Sequence, residues 1–133
     1  MNVGILGAGF MGGVHARAYI RLPDVRVAVV ASRSEEKAAR LAQEVGAVAV
    51  TDYRSVIEDP AIEAINITLP THLHCEYAVA ALRAGKHVLL EKPFGLTTED
   101  CDAVMRARPE DGILMVAHVL RFWPEYVTLV ELV

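Results

Sequence analysis

Two hydrophobic rhythms alternate along the chain. Short, mostly apolar runs fall at Asn2–Leu6, Arg26–Ala31, Ala47–Val50, Ala64–Thr68, His87–Leu90 and Leu114–Ala117. They are of strand length and rich in Val, Ile and Leu, which predicts strands covered on both faces. Between them, apolar residues recur every three or four positions, the spacing of one helical face. Met11, Val14, Ala18 and Leu22 form the first such stripe, closed by Pro23-Asp24. Ser34 caps a second helix with Glu35 and Glu36 in its first turn, where the helix dipole favours acids. Its stripe is Ala38, Leu41, Ala42 and Val45, and Gly46 stops it. Ser55–Glu58 reads as a helical turn before Asp59-Pro60, and a longer helix runs from Thr71 to Ala84, stopped by Gly85. Thr97 or Thr98 opens a helix to about Arg108, with a Thr97-x-x-Asp100 capping box, and Pro124–Val133 begins another.

Strand and helix in strict alternation predict an α/β fold: a doubly wound parallel sheet of six strands with helices on both faces. No repeat, low-complexity tract or linker interrupts the pattern, and 133 residues amount to roughly one domain, 1–133. Hydrophobic residues make up 53% and charged residues 23%, which excludes disorder as the main state. The net charge of −4 argues against a nucleic-acid partner, which needs a basic face. No apolar run approaches the length of a membrane span, and no charged segment precedes the first strand as in a secretory signal. Cys75 and Cys101 lack CxxC spacing and read as reduced thiols of a cytoplasmic protein.

Candidate chemistry begins at Gly7-Ala8-Gly9-Phe10-Met11-Gly12, a GxGxxG. It follows a predicted strand, opens a predicted helix and starts a strand–helix–strand unit, the context in which this pattern binds a dinucleotide. Gly7 would permit the tight turn, Gly9 the approach of a pyrophosphate, and Gly12 close packing of helix on sheet. Backbone N–H groups at the helix start would face the anion. The second strand ends at Ala31-Ser32-Arg33, where an NAD site usually places an acid for the ribose 2′-OH. Ser32 and Arg33 suit a 2′-phosphate instead and favour NADP, with NAD still possible. Glu35 and Glu36 would oppose that phosphate if they face it. The plainer alternative for Arg33 is a surface charge at a helix entry. A His72-x-His74 pair beside Cys75 has no further ligand cluster, so no metal site is expected. His15 reads as an ordinary helix-face residue.

Two further segments join the glycine turn: Ile67-Thr-Leu-Pro-Thr-His-Leu-His74, and Gly85-Lys-His-Val-Leu-Leu-Glu91-Lys92-Pro93. With His118-x-x-Arg121-Phe122-x-Pro124, this ordered set resembles the N-terminal half of the Gfo/Idh/MocA family, named for glucose–fructose oxidoreductase and inositol dehydrogenase. The resemblance spans essentially the whole chain. It implies an NAD(P)-dependent oxidoreductase that moves a hydride between nicotinamide and a hydroxyl or carbonyl carbon of a sugar or polyol. Lys92 would then be the catalytic residue beside the nicotinamide and the substrate oxygen, with Glu91 adjoining the cofactor and a cis Lys92–Pro93 bond. Thr68, Leu69, Pro70 and His72 would lie along the nicotinamide ribose and ring, joining Phe10 and Met11 in the cofactor site, and His118 and Arg121 would reach substrate.

The resemblance also implies a second, α/β substrate domain carrying an Asp-x-x-x-His for proton transfer, which these 133 residues lack. The expectation is a chain that binds dinucleotide but turns over substrate poorly, proton transfer contributing about 10²–10⁴-fold. The apolar segment Tyr126–Val133 would favour a homo-oligomer. The alternatives are a non-catalytic dinucleotide-binding module (a redox sensor or partner subunit) and a doubly wound domain for a flavin or coenzyme A.

Overall fold

The computed structural model describes residues 1–132. Six strands, β1 (Asn2–Leu6), β2 (Arg26–Ala31), β3 (Val48–Val50), β4 (Ala64–Ile67), β5 (His87–Leu90) and β6 (Leu114–Val116), form one sheet in the order β3-β2-β1-β4-β5-β6. Every pairing is parallel. The chain reverses direction across the sheet between β1 and β4, and ligands of open α/β sheets bind beyond the carboxyl ends at such a point.

The helices are α1 (Phe10–Tyr19), α2 (Glu35–Val45), α3 (Tyr53–Glu58), α4 (His74–Arg83), α5 (Thr98–Ala107) and α6 (Pro124–Glu131). Cap chemistry sets several boundaries. Ser34 Oγ accepts the Lys37 N–H at the start of α2, Asp52 accepts the Arg54 N–H at α3, and Thr97 and Asp100 close a reciprocal capping box on α5. Asp52 starts α3 two residues ahead of the predicted Ser55, because its carboxylate takes an N–H the sequence reading left unpaired. The predicted Thr71–Ala84 helix begins as a 3-10 turn, Thr71–Leu73, before α4.

The strands feed two cores. Leu6, Ile65, Ile67, Val88 and Leu90 pack with α3, α4 and α5. Val3, Ile5, Val27 and Val30 pack with α1 and α2. The predicted stripe of α1 is wrong. Its buried face is Gly12, Gly13 and Ala16, while Val14 is 38% and Leu22 49% exposed. The helix start lies so close to the glycine turn that only small residues fit beneath it, and the bulky residues turn outward.

The α1 side of the sheet is covered only in part. Leu89 of β5 and Met115 of β6 lie opposite each other there, Met115 44% exposed, in an apolar trough with Met1, Tyr19, Ala64 and Ile113. The total exposed surface is 8112 Å², against roughly 7,000 Å² for a compact monomer of this mass. The exposed α6 adds to the excess. Among the described residues no helix is long and apolar enough to cross a membrane.

Candidate functional site

The glycine turn is built by hydrogen bonds between β1 and its neighbours. Gly7 N–H donates to Ala31 O at 2.9 Å and Thr68 N–H to Leu6 O at 2.8 Å. The Thr68 hydroxyl lies 2.9 Å from Gly7 O and 3.1 Å from Leu6 O, sharing one proton between them. Gly7 has φ +109°, a left-handed conformation that side chains disfavour. A Cβ on Gly12 would stand 1.9 Å from Gly7 O, so the first turn of α1 lies directly against the loop. Gly9 differs: a Cβ there would meet nothing within 4 Å. It is the N-cap of α1, with no side-chain cap and no acid in the first turn. Open space in front of uncapped helix N–H groups is what a pyrophosphate requires. The residues present therefore fit a dinucleotide.

A cleft of about 410 Å³ runs from this turn across the ends of β2 and β4. It brings Gly7, Gly9, Ser32, Arg33, Thr68, Leu69 and Pro70 together as the sequence suggested, and adds Lys37 and Tyr53. Lys37 was missed because it sits one turn into α2, where a lone Lys reads as a solvated face. Tyr53 opens a short helix twenty residues beyond Arg33, and its hydroxyl accepts the Arg33 N–H at 3.2 Å. Ser32 is nearly buried and its Oγ accepts the Ser34 N–H at 3.2 Å, while the Arg33 side chain is exposed. Glu35 and Glu36 do not line the cleft; Glu35 lines a separate groove against β3. Phe10, 82% exposed, lines an adjoining groove between α1 and α2 with Arg17, Lys37 and Arg40.

Other candidates stand apart. Met11 is half-buried beside the turn, and Gly12 is buried under it. His72 is exposed on the 3-10 turn. Lys92 is exposed just beyond β5 and begins a cis Lys92–Pro93 bond. His118 and Arg121 line a groove of about 350 Å³ with Phe122 at the end of β6.

Glu91 points inward. Its Oε2 accepts the Lys92 N–H at 3.0 Å, and its Oε1 lies 3.3 Å from His15 Nε2. His15 is therefore more than a helix-face residue. Its Nδ1 lies 2.9 Å from Asn66 Oδ1, which also accepts from the Tyr19 hydroxyl at 3.2 Å. Burial pushes the Tyr19 phenol up to about 12, so it remains a donor. The network joins α1, β4 and the end of β5. His74, at the head of α4, is buried with both ring nitrogens facing backbone carbonyls, which leaves neither free for a metal. Only its position after a loop hinted at this, since the bonds are tertiary.

A parallel sheet in this strand order, with a glycine turn at its switch point, defines the dinucleotide-binding Rossmann class. The chain belongs to the Gfo/Idh/MocA family of oxidoreductases, the NAD-binding Rossmann fold of that family matching residues 1–118. It is 40% identical to levoglucosan dehydrogenase of Pseudarthrobacter phenanthrenivorans over 93% of this chain and 34% of that protein. Identity to the scyllo-inositol 2-dehydrogenase (NADP(+)) of Bacillus subtilis is 34% over all of this chain and 37% of the relative. The fold superposes on KijD10, a 3-ketoreductase of Actinomadura kijaniata solved with NADP and TDP-benzene, with a TM-score of 0.91, 28% identity, and coverage of 99% of this chain and 41% of that one. The chain thus spans 34–41% of the length of these relatives. A nicotinamide dinucleotide is the cofactor class of the site.

Proposed function

We propose that residues 1–133 are the dinucleotide-binding domain of an oxidoreductase that moves a hydride between nicotinamide and a hydroxyl or carbonyl carbon of a sugar- or polyol-like substrate. NADP is the preferred cofactor and NAD the lesser one. The observation that carries this reading is the single cleft joining the Gly9 cradle to Ser32, Arg33 and Lys37. Gly9 and the first N–H groups of α1 would hold the pyrophosphate. The Ser32 hydroxyl and the two cationic side chains would bind a 2′-phosphate, with Glu35 turned away from it.

When bound, the nicotinamide supplies the hydride donor or acceptor. Thr68, Leu69 and Pro70 would wall its side of the cleft, with His72, Phe10 and Met11 at the margins. Lys92, just beyond β5, would hydrogen-bond the reacting substrate oxygen and stabilise negative charge there. Glu91 supports this position by holding the Lys92 N–H. His118 and Arg121 would bind further substrate hydroxyls. The sugar and inositol dehydrogenases among the relatives support this substrate class. Proton transfer falls to groups in the remaining length of such proteins, so these 133 residues alone should bind cofactor and show little turnover. The exposed α6 and the open trough on β5 and β6 support self-association as a homo-oligomer. Two free, partly exposed thiols suit a reducing, cytoplasmic compartment.

Titration of the chain with NADPH and NADH, followed by nicotinamide fluorescence, tests the reading. Tighter binding of NADPH is expected. Binding of neither would overturn the assignment, and equal affinity would remove the NADP preference.

A further inference from the structure

At the β2 end of the cleft, the nearest backbone N–H groups are already bonded. Ser34 N–H donates to Ser32 Oγ and Arg33 N–H to the Tyr53 hydroxyl, each at 3.2 Å. A ligand oxygen there is met by side chains. The Tyr53 hydroxyl accepts that one bond and makes no other among the described residues, so its own proton is free to donate. Tyr53 is 7% exposed and lines the cleft with Ser32, Arg33 and Lys37. Its ring packs edge-on against Tyr77, with centroids 5.2 Å apart and planes at 84°, and the Arg33 N–H holds its oxygen. A donor already held in place loses little freedom on meeting a ligand. The charged groups lining the cleft are Arg33 and Lys37, and among the described residues no carboxylate joins them. That lining favours an anion over a neutral ribose hydroxyl, which dinucleotide sites usually hold with an acid. A phosphate oxygen takes a hydroxyl proton in a charge-assisted bond, roughly twice as strong as a neutral one.

We infer that Tyr53 is a specificity-determining residue: its hydroxyl donates to the 2′-phosphate of an NADP-type cofactor, beside Ser32, Arg33 and Lys37. The inference rests on the NADP reading and deepens it by adding a neutral donor to the two cations. The contact is direct. It differs from the bond to Arg33 N–H, in which the same oxygen is the acceptor and which holds the turn with or without ligand.

The test compares 2′-phospho-ADP-ribose with ADP-ribose, which differ by that phosphate alone, in calorimetric titrations of the whole chain. Tyr53→Phe keeps the ring and its packing on Tyr77 and removes the hydroxyl; Arg33 is exposed, so water takes up its N–H. Affinity for 2′-phospho-ADP-ribose should fall about tenfold or more, while that for ADP-ribose stays within about twofold. Equal loss of both, or no loss of either, would overturn the contact. In an Arg33→Ala background the phosphate-specific loss should persist at about threefold or more. Its disappearance would show that Tyr53 acts only by placing Arg33, and direct donation would be wrong. Should Tyr53→Phe fail to fold, ¹³Cζ-tyrosine spectra of the unmodified chain decide. The Tyr53 signal should move with 2′-phospho-ADP-ribose and stay in place with ADP-ribose; equal movement, or none, would refute the contact. A parent chain that binds the two ligands equally would defeat the NADP reading itself, whereas a parent and a variant that discriminate equally would defeat Tyr53 alone.

Discussion

The two ends of the crevice are built on opposite plans. At the β2 end, Arg33 and Lys37 stand exposed over the cleft, and the hydrogen bonds there involve backbone or hydroxyl groups. At the β4–β5 end, Lys92 and His72 are exposed, but the polar groups behind them are buried and tied into the fold: His15 to Asn66 and Glu91, and His74 to the Leu69 and Pro93 carbonyls. The first plan leaves cations free to meet a ligand phosphate and adds little to the stability of the fold. The second fixes the backbone that carries the exposed side chains. The comparison separates exposed charges, open to a ligand, from buried networks that hold the backbone.

That separation can be broken by substitution. His15→Ala removes one of the two partners of the buried Glu91 carboxylate and should cost about 1–3 kcal/mol of stability, read by denaturant unfolding. A loss below about 1 kcal/mol would mean that the network holds little. Arg33→Ala should do the reverse: stability within about 0.5 kcal/mol of the parent, with NADPH affinity reduced by about 1.5–3 kcal/mol and NADH affinity unchanged. Parallel titrations check it, and equal loss for both cofactors would remove Arg33 from the phosphate site. Gly9→Ala places a methyl group in open space, so the melting temperature should barely change while dinucleotide affinity drops at least tenfold, about 1.4 kcal/mol. Unimpaired binding would show that the cradle is not where the pyrophosphate rests. Thr97→Ala, on α5 and far from either end, should cost about 1 kcal/mol through its lost cap and leave both affinities alone, a control for stability without function.

Much of the β2 end was legible in the sequence because its chemistry is local. A glycine turn after a strand, and Ser32-Arg33 at the end of the next, lie within short windows whose spacing is set by the strand–helix–strand unit. Lys37 escaped because one charged residue on a helix carries no signal of which way it faces. The β4–β5 end was harder. Glu91 was placed correctly in the chain, yet its partner is a histidine 76 positions earlier, on another helix. Nothing in the spacing of His15 distinguishes it from a surface residue. His74 likewise read as one residue of the Thr71–Ala84 helix; it opens α4, and its two carbonyl partners come from separate loops. The error in α1 has the same origin: periodicity reports which face is apolar, and close approach to the glycine turn decided which face goes inward.

By itself, then, the order of residues settled the strands, the alternation with helices and the glycine turn, because each depends on backbone preferences and hydrogen bonds between near neighbours. Which helix face is buried, where Glu35 points and how two histidines tie the β4 and β5 loops together were decided only in three dimensions. Those outcomes depend on contacts between segments distant in the chain, and such contacts have no period or spacing to be read.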